Sequence, residues 1–435
     1  MKKEINVRSM AITAVDLISN NKAFSNEIIN DNLHLFSDYR DESLYRELVY
    51  GVTENLYYID YIIGMASKIK LKKLEKLVLN ALRVGVYELI FLRIEEYATV
   101  NEIVKIVKKK KGQKASNYTN GVLRNIVRNK DEFTDIKIKD KKLKLSIKYS
   151  FHPDIIEYLS NYYGDDELEK LLIVLTQRPE MSIRVNDLLT NRDDLSSDLA
   201  SIGIKTRPSN IAKDGLIIEN PVRVTFTEEF KKGYFTIQDQ GSIMVSEILN
   251  PSPNSRVLDL CAAPGSKSTH LGQICKDKSK IIANDISTNK LSKIRENFDR
   301  LQLSNYEIKN YDARQYIEEF KDSFDYVLVD APCSGLGVIR RKPEIKLFRS
   351  LDEIKELAKI QADILSNGIK YLKKGGYLVY STCTMGQLEN EDVVNKVLND
   401  NKNIEIVPIN GCENIQLQPN INGSDVFFIC KLTKN

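Results

Sequence analysis

Cys333, in Asp330-Ala331-Pro332-Cys333, and Cys383, in Ser381-Thr382-Cys383, each follow an apolar, strand-like run (326–330 and 377–380). A third such run, 257–260, opens into Cys261-Ala262-Ala263-Pro264-Gly265-Ser266-Lys267. In an open α/β sheet, ligands bind in the crevice outside the carboxyl ends of the strands. Three strand ends bearing a small-residue loop and two thiols therefore converge on one site. Their residue types point to covalent catalysis beside a bound cofactor.

A thiolate adds to C6 of a pyrimidine and makes C5 nucleophilic enough to attack an electrophilic methyl group. One hard step is thereby divided into easier ones. A protonated carboxyl at Asp330 would stabilise the attacked ring at N3. A second thiol would help to expel the first once C5 is methylated. Taken singly, Cys333 or Cys383 reads as a packed small hydrophobe. Two at neighbouring strand ends, both facing a cofactor loop, read as a catalytic pair.

The run 257–260, followed by Ala263-Pro264-Gly265 and a helix from about Ser266, is a strand–turn–helix cradle. Small residues let the backbone approach a ligand, and the helix amino terminus offers unpaired N–H groups. The loop holds a single glycine, so it is not the dinucleotide GxGxxG loop, and a less bulky cofactor is expected. Asp285 ends the next apolar run, twenty residues after Gly265, where a carboxylate accepts hydrogen bonds from ribose hydroxyls. Asp312 follows a third run. It is placed either to bond an adenine amine or to cap a helix over 313–320.

The elements that must position these residues follow from the rest of the chain. At 435 residues it is too long for one core. From Val7 to about Arg128 apolar residues recur at helical spacing (Ile12, Val15, Leu48, Val52, Leu82, Val86), which predicts an all-α domain. Within it, 105–114 reads as a basic helix end and 120–128 as a short further helix. Residues 135–150 alternate charged and β-branched side chains and read as a hairpin or linker. A helix is expected after Pro153, then a small α+β domain with short elements at 182–186, 202–205, 215–218 and 222–226. From Gly233 strands alternate with helices, as in a doubly wound sheet. The domains are thus 1–134, 135–232 and 233–435.

The net charge of +4 is unevenly spread: residues 1–148 hold 28 Lys+Arg against 19 Asp+Glu, and 105–148 hold 15 against 4. A basic stretch ahead of a mildly acidic α/β domain points to a nucleic-acid partner held by its phosphates. All six cysteines lie beyond residue 260, none in a zinc spacing, and only three histidines exist, so no metal is expected. No apolar run approaches the roughly 20 residues that span a bilayer, and the amino terminus lacks a signal-peptide core. A cytoplasmic protein with reduced thiols, active as a monomer, is the expectation.

The segments LDLCAAPGSKSTH (258–270), DAPCSGLGVIRRKPE (330–344) and YSTCTMGQLENE (380–391) resemble the RNA cytosine-5 methyltransferases of the NOL/NOP/Sun type. YFTIQDQG (234–241) is similar to the segment that precedes their Rossmann-like sheet. Val100-Asn101-Glu102 and TNGVLRNIVR (119–128) resemble a NusB-like helical domain. That fusion marks the Sun/Fmu/RsmB branch, which acts on a cytidine of bacterial 16S ribosomal RNA.

The resemblance implies a multidomain fold: an all-α NusB-like domain, a small ferredoxin- or RRM-like α+β domain, and a class I methyltransferase domain. It implies Cys383 as nucleophile, Cys333 in product release, and Asp330 at the base. It also implies S-adenosylmethionine held by Cys261, Ala262, Ala263, Pro264, Gly265, Ser266, Lys267, Asp285, Asp312 and Asp330. Lys267 would also reach the substrate, and Arg340 and Arg341 would hold phosphates. The substrate would be 16S ribosomal RNA before final subunit assembly, since the target base must leave its stack. Ser266, Gln387 and Val426 stand where the family usually has Gly, Pro and Gly, and none touches a thiol motif. Three other readings compete: a transfer-RNA methyltransferase, a non-catalytic NusB-like RNA-binding factor, and a nicotinamide dehydrogenase. The intact thiols weigh against the second, and the missing glycines against the third.

Overall fold

The computed structural model describes residues 6–21, 23–220 and 224–435. It divides into two compact units, Met1–Thr176 with Ile339–Leu351, and Gln177–Val338 with Asp352–Asn435.

The first unit is helical: α1 (Val7–Asn21), α2 (Ser25–Asn32), α3 (Tyr39–Glu54), α4 (Leu56–Ala66), α5 (Lys76–Phe91), α6 (Glu96–Arg128), α7 (Lys130–Thr134), α8 (Lys141–Tyr149), α9 (Pro153–Tyr163) and α10 (Asp165–Leu175). The apolar positions that set the helical spacing are the ones buried, among them Ile12, Val15, Leu48, Val52, Leu82 and Val86. Helix α5 is buried almost all round. Its two charged residues inside the core are paired: Arg83 with Asp60 at 2.6 Å, and Glu88 with Arg8 at 2.9 Å. Such pairing is what allows burial of charge.

The run 96–128 folds as two helical arms broken at Gly112, whose φ of 82° suits glycine. Ser116 Oγ donates to the Val104 carbonyl (3.3 Å), twelve residues back, so the arms run antiparallel.

The hairpin or linker expected over 135–150 is instead helix α8. Asp140 caps it by accepting from the Leu143 N–H, and Ser150 ends it in the left-handed region. Leu145 and Tyr149, four apart, are its buried pair.

The segment Ile339–Leu351 belongs to this helical unit. Leu347 joins its core. Lys346 Nζ donates to the Tyr149 carbonyl (2.8 Å), and the Lys346 carbonyl accepts from the His152 N–H (2.8 Å). Ser25 Oγ donates to the buried Glu344 (2.6 Å).

The second unit begins with a small antiparallel sheet of β1 (Met181–Val185), β2 (Thr206–Pro208), β3 (Gly215–Ile218) and β4 (Phe235–Ile237), in the order β2-β3-β1-β4. Helix α11 (Arg192–Ser201) buries Leu195 and Leu199 in the core they share with Ile183 and Leu216. The short element expected at 202–205 falls in the turn closing α11, where Gly203 has φ 83°, and strand β2 starts at Thr206. Of the element expected at 222–226, residues 222 and 223 lie outside the described residues, and Val224–Phe226 is a single 3-10 turn.

After α12 (Glu228–Lys231) and α13 (Gln240–Leu249) comes the large sheet. Its strands are β5 (Arg256–Asp259), β6 (Lys280–Asn284), β7 (Tyr306–Lys309), β8 (Phe324–Asp330), β9 (Leu372–Thr382), β10 (Ile404–Ile406), β11 (Ile415–Leu417) and β12 (Phe427–Lys434). The order is β10-β12-β9-β8-β5-β6-β7, with β11 on β12. Pairs from β9 to β7 are parallel, whereas β12 runs antiparallel to β9. The chain leaves β5 towards β6 and β7 and later returns to β8 on its other side, so the sheet has its switch point between β5 and β8. Helices α14 (Ser266–Ile274) and α15 (Leu291–Arg300) connect the first of these strands.

Candidate active site

Parallel register sets the strand ends side by side: Asp259 lies opposite Leu328 and Ala283, and Asp330 opposite Ser381. The loops leaving β5, β6, β8 and β9 thus open at one edge, at the switch point where a ligand crevice forms.

The loop 260–265 is held by its own backbone. Ala262 N–H donates to the Asn284 carbonyl (2.7 Å), Gly265 N–H to Ala262 (2.6 Å), and Ala263 N–H to Asp285 Oδ2 (3.0 Å). Gly265 has φ 100°, and a Cβ there would lie 3.1 Å from Ile294 Cα. Helix α14 starts at Ser266, as expected, and no side chain caps it. Its first N–H groups therefore lack a partner within the helix. Asp259, buried beneath the loop, accepts from Ser268 Oγ (2.6 Å) and the Cys261 N–H (3.3 Å), and burial pushes its carboxyl up to about 7.

Burial also pushes the Cys261 thiol well up, and the carboxylates of Asp259, Asp330, Asp285 and Asp312 push the same way. Four acids around one small-residue loop suit a compact cation. S-adenosylmethionine, with its sulfonium and ammonium charges, fits that crevice by charge and by the close backbone approach.

Asp285 also accepts the Ser287 N–H (2.9 Å), so both of its oxygens shape the loop. The helix considered for 313–320 does not form. Asp312 instead closes a turn, accepting from the Arg314 N–H (3.0 Å) and its guanidinium (2.9 and 2.5 Å). Arg314 holds that carboxyl below its usual range.

Cys333 Sγ and Cys383 Sγ are 3.3 Å apart, and both residues are half-buried. The hydrogen bond to Cys383, and then burial, push the Cys333 thiol well up. Either sulfur can donate in this contact. Beside them Asp330 accepts from Lys267 Nζ (2.7 Å) and Ser381 Oγ (2.8 Å). Burial disfavours the Lys267 charge, yet the Asp330 carboxylate outweighs it and leaves the ammonium pKa raised. Asp330 thus bonds both Lys267 and Ser381, so any contact it makes with a base is shared with an ammonium group.

Three residues without an assigned role in the sequence reading complete the site. Glu389, fully buried, accepts from the Ser334 N–H (2.8 Å), Ser334 Oγ (2.5 Å), Gln361 Nε2 (2.9 Å) and Thr384 Oγ1 (3.4 Å). Ser334 follows Cys333 and Thr384 follows Cys383, so one carboxylate ties both cysteine turns together. Its signal was an acid inside the run 380–391. Gly337 donates its N–H to the Cys383 carbonyl (3.0 Å), and a Cβ there would stand 2.7 Å from that oxygen. Arg184, fully buried on β1, donates to the Ser266 carbonyl, Gln238 Oε1 and Thr269 Oγ1, bracing the start of α14. Nothing local to its strand marked Arg184 out.

Asp214, Glu247 and His270 also bring three metal-ligand atoms within 4.8 Å of one another. His270 Nε2 meets Asp214 Oδ2 (3.1 Å), and Glu247 accepts the Asp214 N–H (3.0 Å). These contacts explain the cluster without an ion. Arg340 and Arg341 fall in the helical unit.

Comparison with known proteins agrees with this architecture. Family models match in three places: the NusB family over residues 5–128, a Methyltr_RsmF/B-like ferredoxin-like domain over 152–225, and the 16S rRNA methyltransferase RsmB/F over 246–433. The chain is 33% identical to the probable ribosomal RNA small subunit methyltransferase B of Bacillus subtilis, across 99% of both chains. A methyltransferase homologue from Pyrococcus horikoshii superposes with a TM-score of 0.62 at 28% identity, over 68% of this chain and all of the other. NSun6 from the same organism, solved with SFG, gives 0.59 at 25% identity, over 65% and 98%. The helical, ferredoxin-like and methyltransferase parts are those of S-adenosylmethionine-dependent enzymes acting on RNA. The chain belongs to the 16S rRNA methyltransferase RsmB/F family, among the ribosomal RNA small subunit methyltransferases B.

Proposed function

We propose that this protein methylates C5 of a cytidine in 16S ribosomal RNA through a covalent bond between Cys383 and C6 of the base. The observation that carries this reading is the 3.3 Å approach of two thiols beside the cofactor loop. Cys383 Sγ, as thiolate, attacks C6. Negative charge then develops on the ring at N3 and O2, where the Lys267–Asp330 pair supplies a positioned proton. S-adenosylmethionine, when bound, supplies the electrophilic methyl group. Cys333 Sγ, as thiolate, then takes the C5 proton; the electron pair of that C–H bond re-forms the C5–C6 double bond and expels Cys383 as thiolate, and N3 returns its proton to the Lys267–Asp330 pair.

The backbone of 261–267 and the carboxylates of Asp285 and Asp312 hold the cofactor, Asp312 once Arg314 yields one of its oxygens. Glu389, Gly337 and Arg184 are positioning residues. The helical domain, residues 1–134, binds RNA through its basic stretch. The enzyme works in the cytoplasm, as a monomer, on RNA whose target base is still free to leave its stack.

The test incubates the protein with S-adenosylmethionine and unmodified 16S RNA, then digests the RNA to nucleosides and separates them by mass. The expected product is 5-methylcytidine at one position. Methylation of transfer RNA with none in 16S RNA would move the substrate and keep the chemistry. A methyl group on N4 or on ribose would overturn the proposal.

A further inference from the structure

The helical unit carries a cavity of about 560 Å³ that the methyl-transfer chemistry does not use, lined by Glu96, Tyr97, Val100, Asn101, Arg124, Val127 and Arg128. All seven residues lie on α6. The antiparallel arms of that element bring its first turns beside its last. Val100 and Val127 give the cavity an apolar floor, and Tyr97 stands 73% exposed. Arg124 and Arg128 are four apart on one face, both exposed. Among the described residues Arg124 spends only its Nε, on Asn120 Oδ1 (3.0 Å). Arg128 meets no acceptor among the described residues.

We infer that this cavity is an RNA-docking site, receiving one unpaired nucleotide with its base on Tyr97 and its flanking phosphates on Arg124 and Arg128. The reading rests on the ribosomal-RNA substrate proposed above and adds where a second segment of that RNA is held. A cavity of this size is in the range, roughly 300–1,000 Å³, that takes small organic ligands. An aromatic ring beside paired guanidinium groups is how single-stranded RNA is recognised, by stacking and by phosphate contact. Asn101 is placed to bond a base edge. Glu96 is the one acid in the lining, and it suits a ribose hydroxyl or an exocyclic amine rather than a phosphate. The same element carries Lys108, Lys109 and Lys110, which extend the positive surface along one strand of RNA, while Lys105 and Lys111 are paired with Glu102 and Glu75.

The test uses the full chain with an unmodified 16S RNA fragment and follows binding by fluorescence anisotropy and turnover by methyl incorporation. Tyr97→Ala should weaken RNA binding by roughly five- to 150-fold, the range for loss of one stacked base. It should raise KM for RNA and leave kcat unchanged. Arg124→Gln with Arg128→Gln should flatten the salt dependence of binding by about 1.4 in log–log slope, the value for two contacts to a single strand. Ultraviolet crosslinking of the wild type should map to Tyr97. Lys402→Gln, an exposed charge in the other unit, is the control, and thermal melting checks that all variants fold.

Binding and KM no different from the control would overturn the inference. So would lost affinity for a ribosomal protein with RNA affinity unchanged. Because binding is read separately from methylation, RNA held at Tyr97 without any methyl transfer would count against the proposed function and leave this site standing.

Discussion

Replacing Glu389 probes whether one buried carboxylate sets the geometry of both cysteine turns. In Glu389→Gln the amide oxygen can still accept from the Ser334 N–H and Gln361 Nε2, while the Ser334 and Thr384 hydroxyls rotate to accept from the new NH2. Every bond then keeps a partner, and what disappears is the charge. Hydrogen bonds to charged groups contribute about 1.5–3 kcal/mol and neutral ones about 0.5–1.5, a difference of about 1 kcal/mol per bond. Three of the four bonds are shorter than 3 Å, so the expected loss is about 3 kcal/mol. For a unit of this size that lowers Tm by roughly 6–12 °C.

Glu389→Ala should cost more, because it strands the Ser334 N–H and one hydrogen of the Gln361 amide, whose other bond runs to the Pro332 carbonyl (2.9 Å). Displacing the thiols by about 1 Å should also lower kcat on the order of 100-fold, with KM for S-adenosylmethionine little changed. The assay pairs denaturant unfolding with single-turnover methylation for wild type, Gln and Ala. An Ala variant with wild-type kcat and unchanged stability would refute the argument that Glu389 holds the turns.

Gly337→Ala should fail to give active enzyme. Its Cβ would stand 2.4 Å from the Val426 carbonyl and 2.7 Å from that of Cys383, both backbone atoms; soluble protein with normal turnover would contradict this. His270 is pushed down to about 4 by burial and by Arg184, against Asp214. The unfolded chain therefore takes up a proton below pH 6.5 that the folded one refuses until about pH 4. Stability should fall as pH drops through that window, and His270→Asn should flatten this part of the curve in denaturant titrations. A mild thiol oxidant such as diamide should join Cys333 to Cys383, a loss of two hydrogens by intact mass, and stop turnover until a reductant is added. Inactivation without that mass change would show that another group had reacted.

The parts of the site legible in the sequence are those carried by contiguous runs. The β5 end, the loop 261–265 and the α14 start stand where spacing put them, because a strand–turn–helix is specified locally. The two cysteine turns were likewise visible as ends of apolar runs. Glu389 and Arg184 were not, since each owes its importance to partners 55 and 82 residues away. Helix α8 was misread because Leu143, Leu145 and Ile147 alternate like a strand, whereas the Asp140 cap and the contacts of Leu145 and Tyr149 favour a helix. The capture of Ile339–Leu351 by the helical unit was invisible for the same reason. Leu347 and Lys346 find their partners nearly 200 or more residues back along the chain.

The central claim is that Cys383 bonds to the base and Cys333 releases it. Wild type, Cys383→Ala and Cys333→Ala should be incubated with unmodified 16S RNA and S-adenosylmethionine, then resolved under denaturing conditions. Cys383→Ala should neither methylate nor crosslink, and Cys333→Ala should accumulate a protein–RNA adduct that survives denaturation. An adduct on Cys383→Ala instead, or methylation that persists without Cys383, would contradict the account.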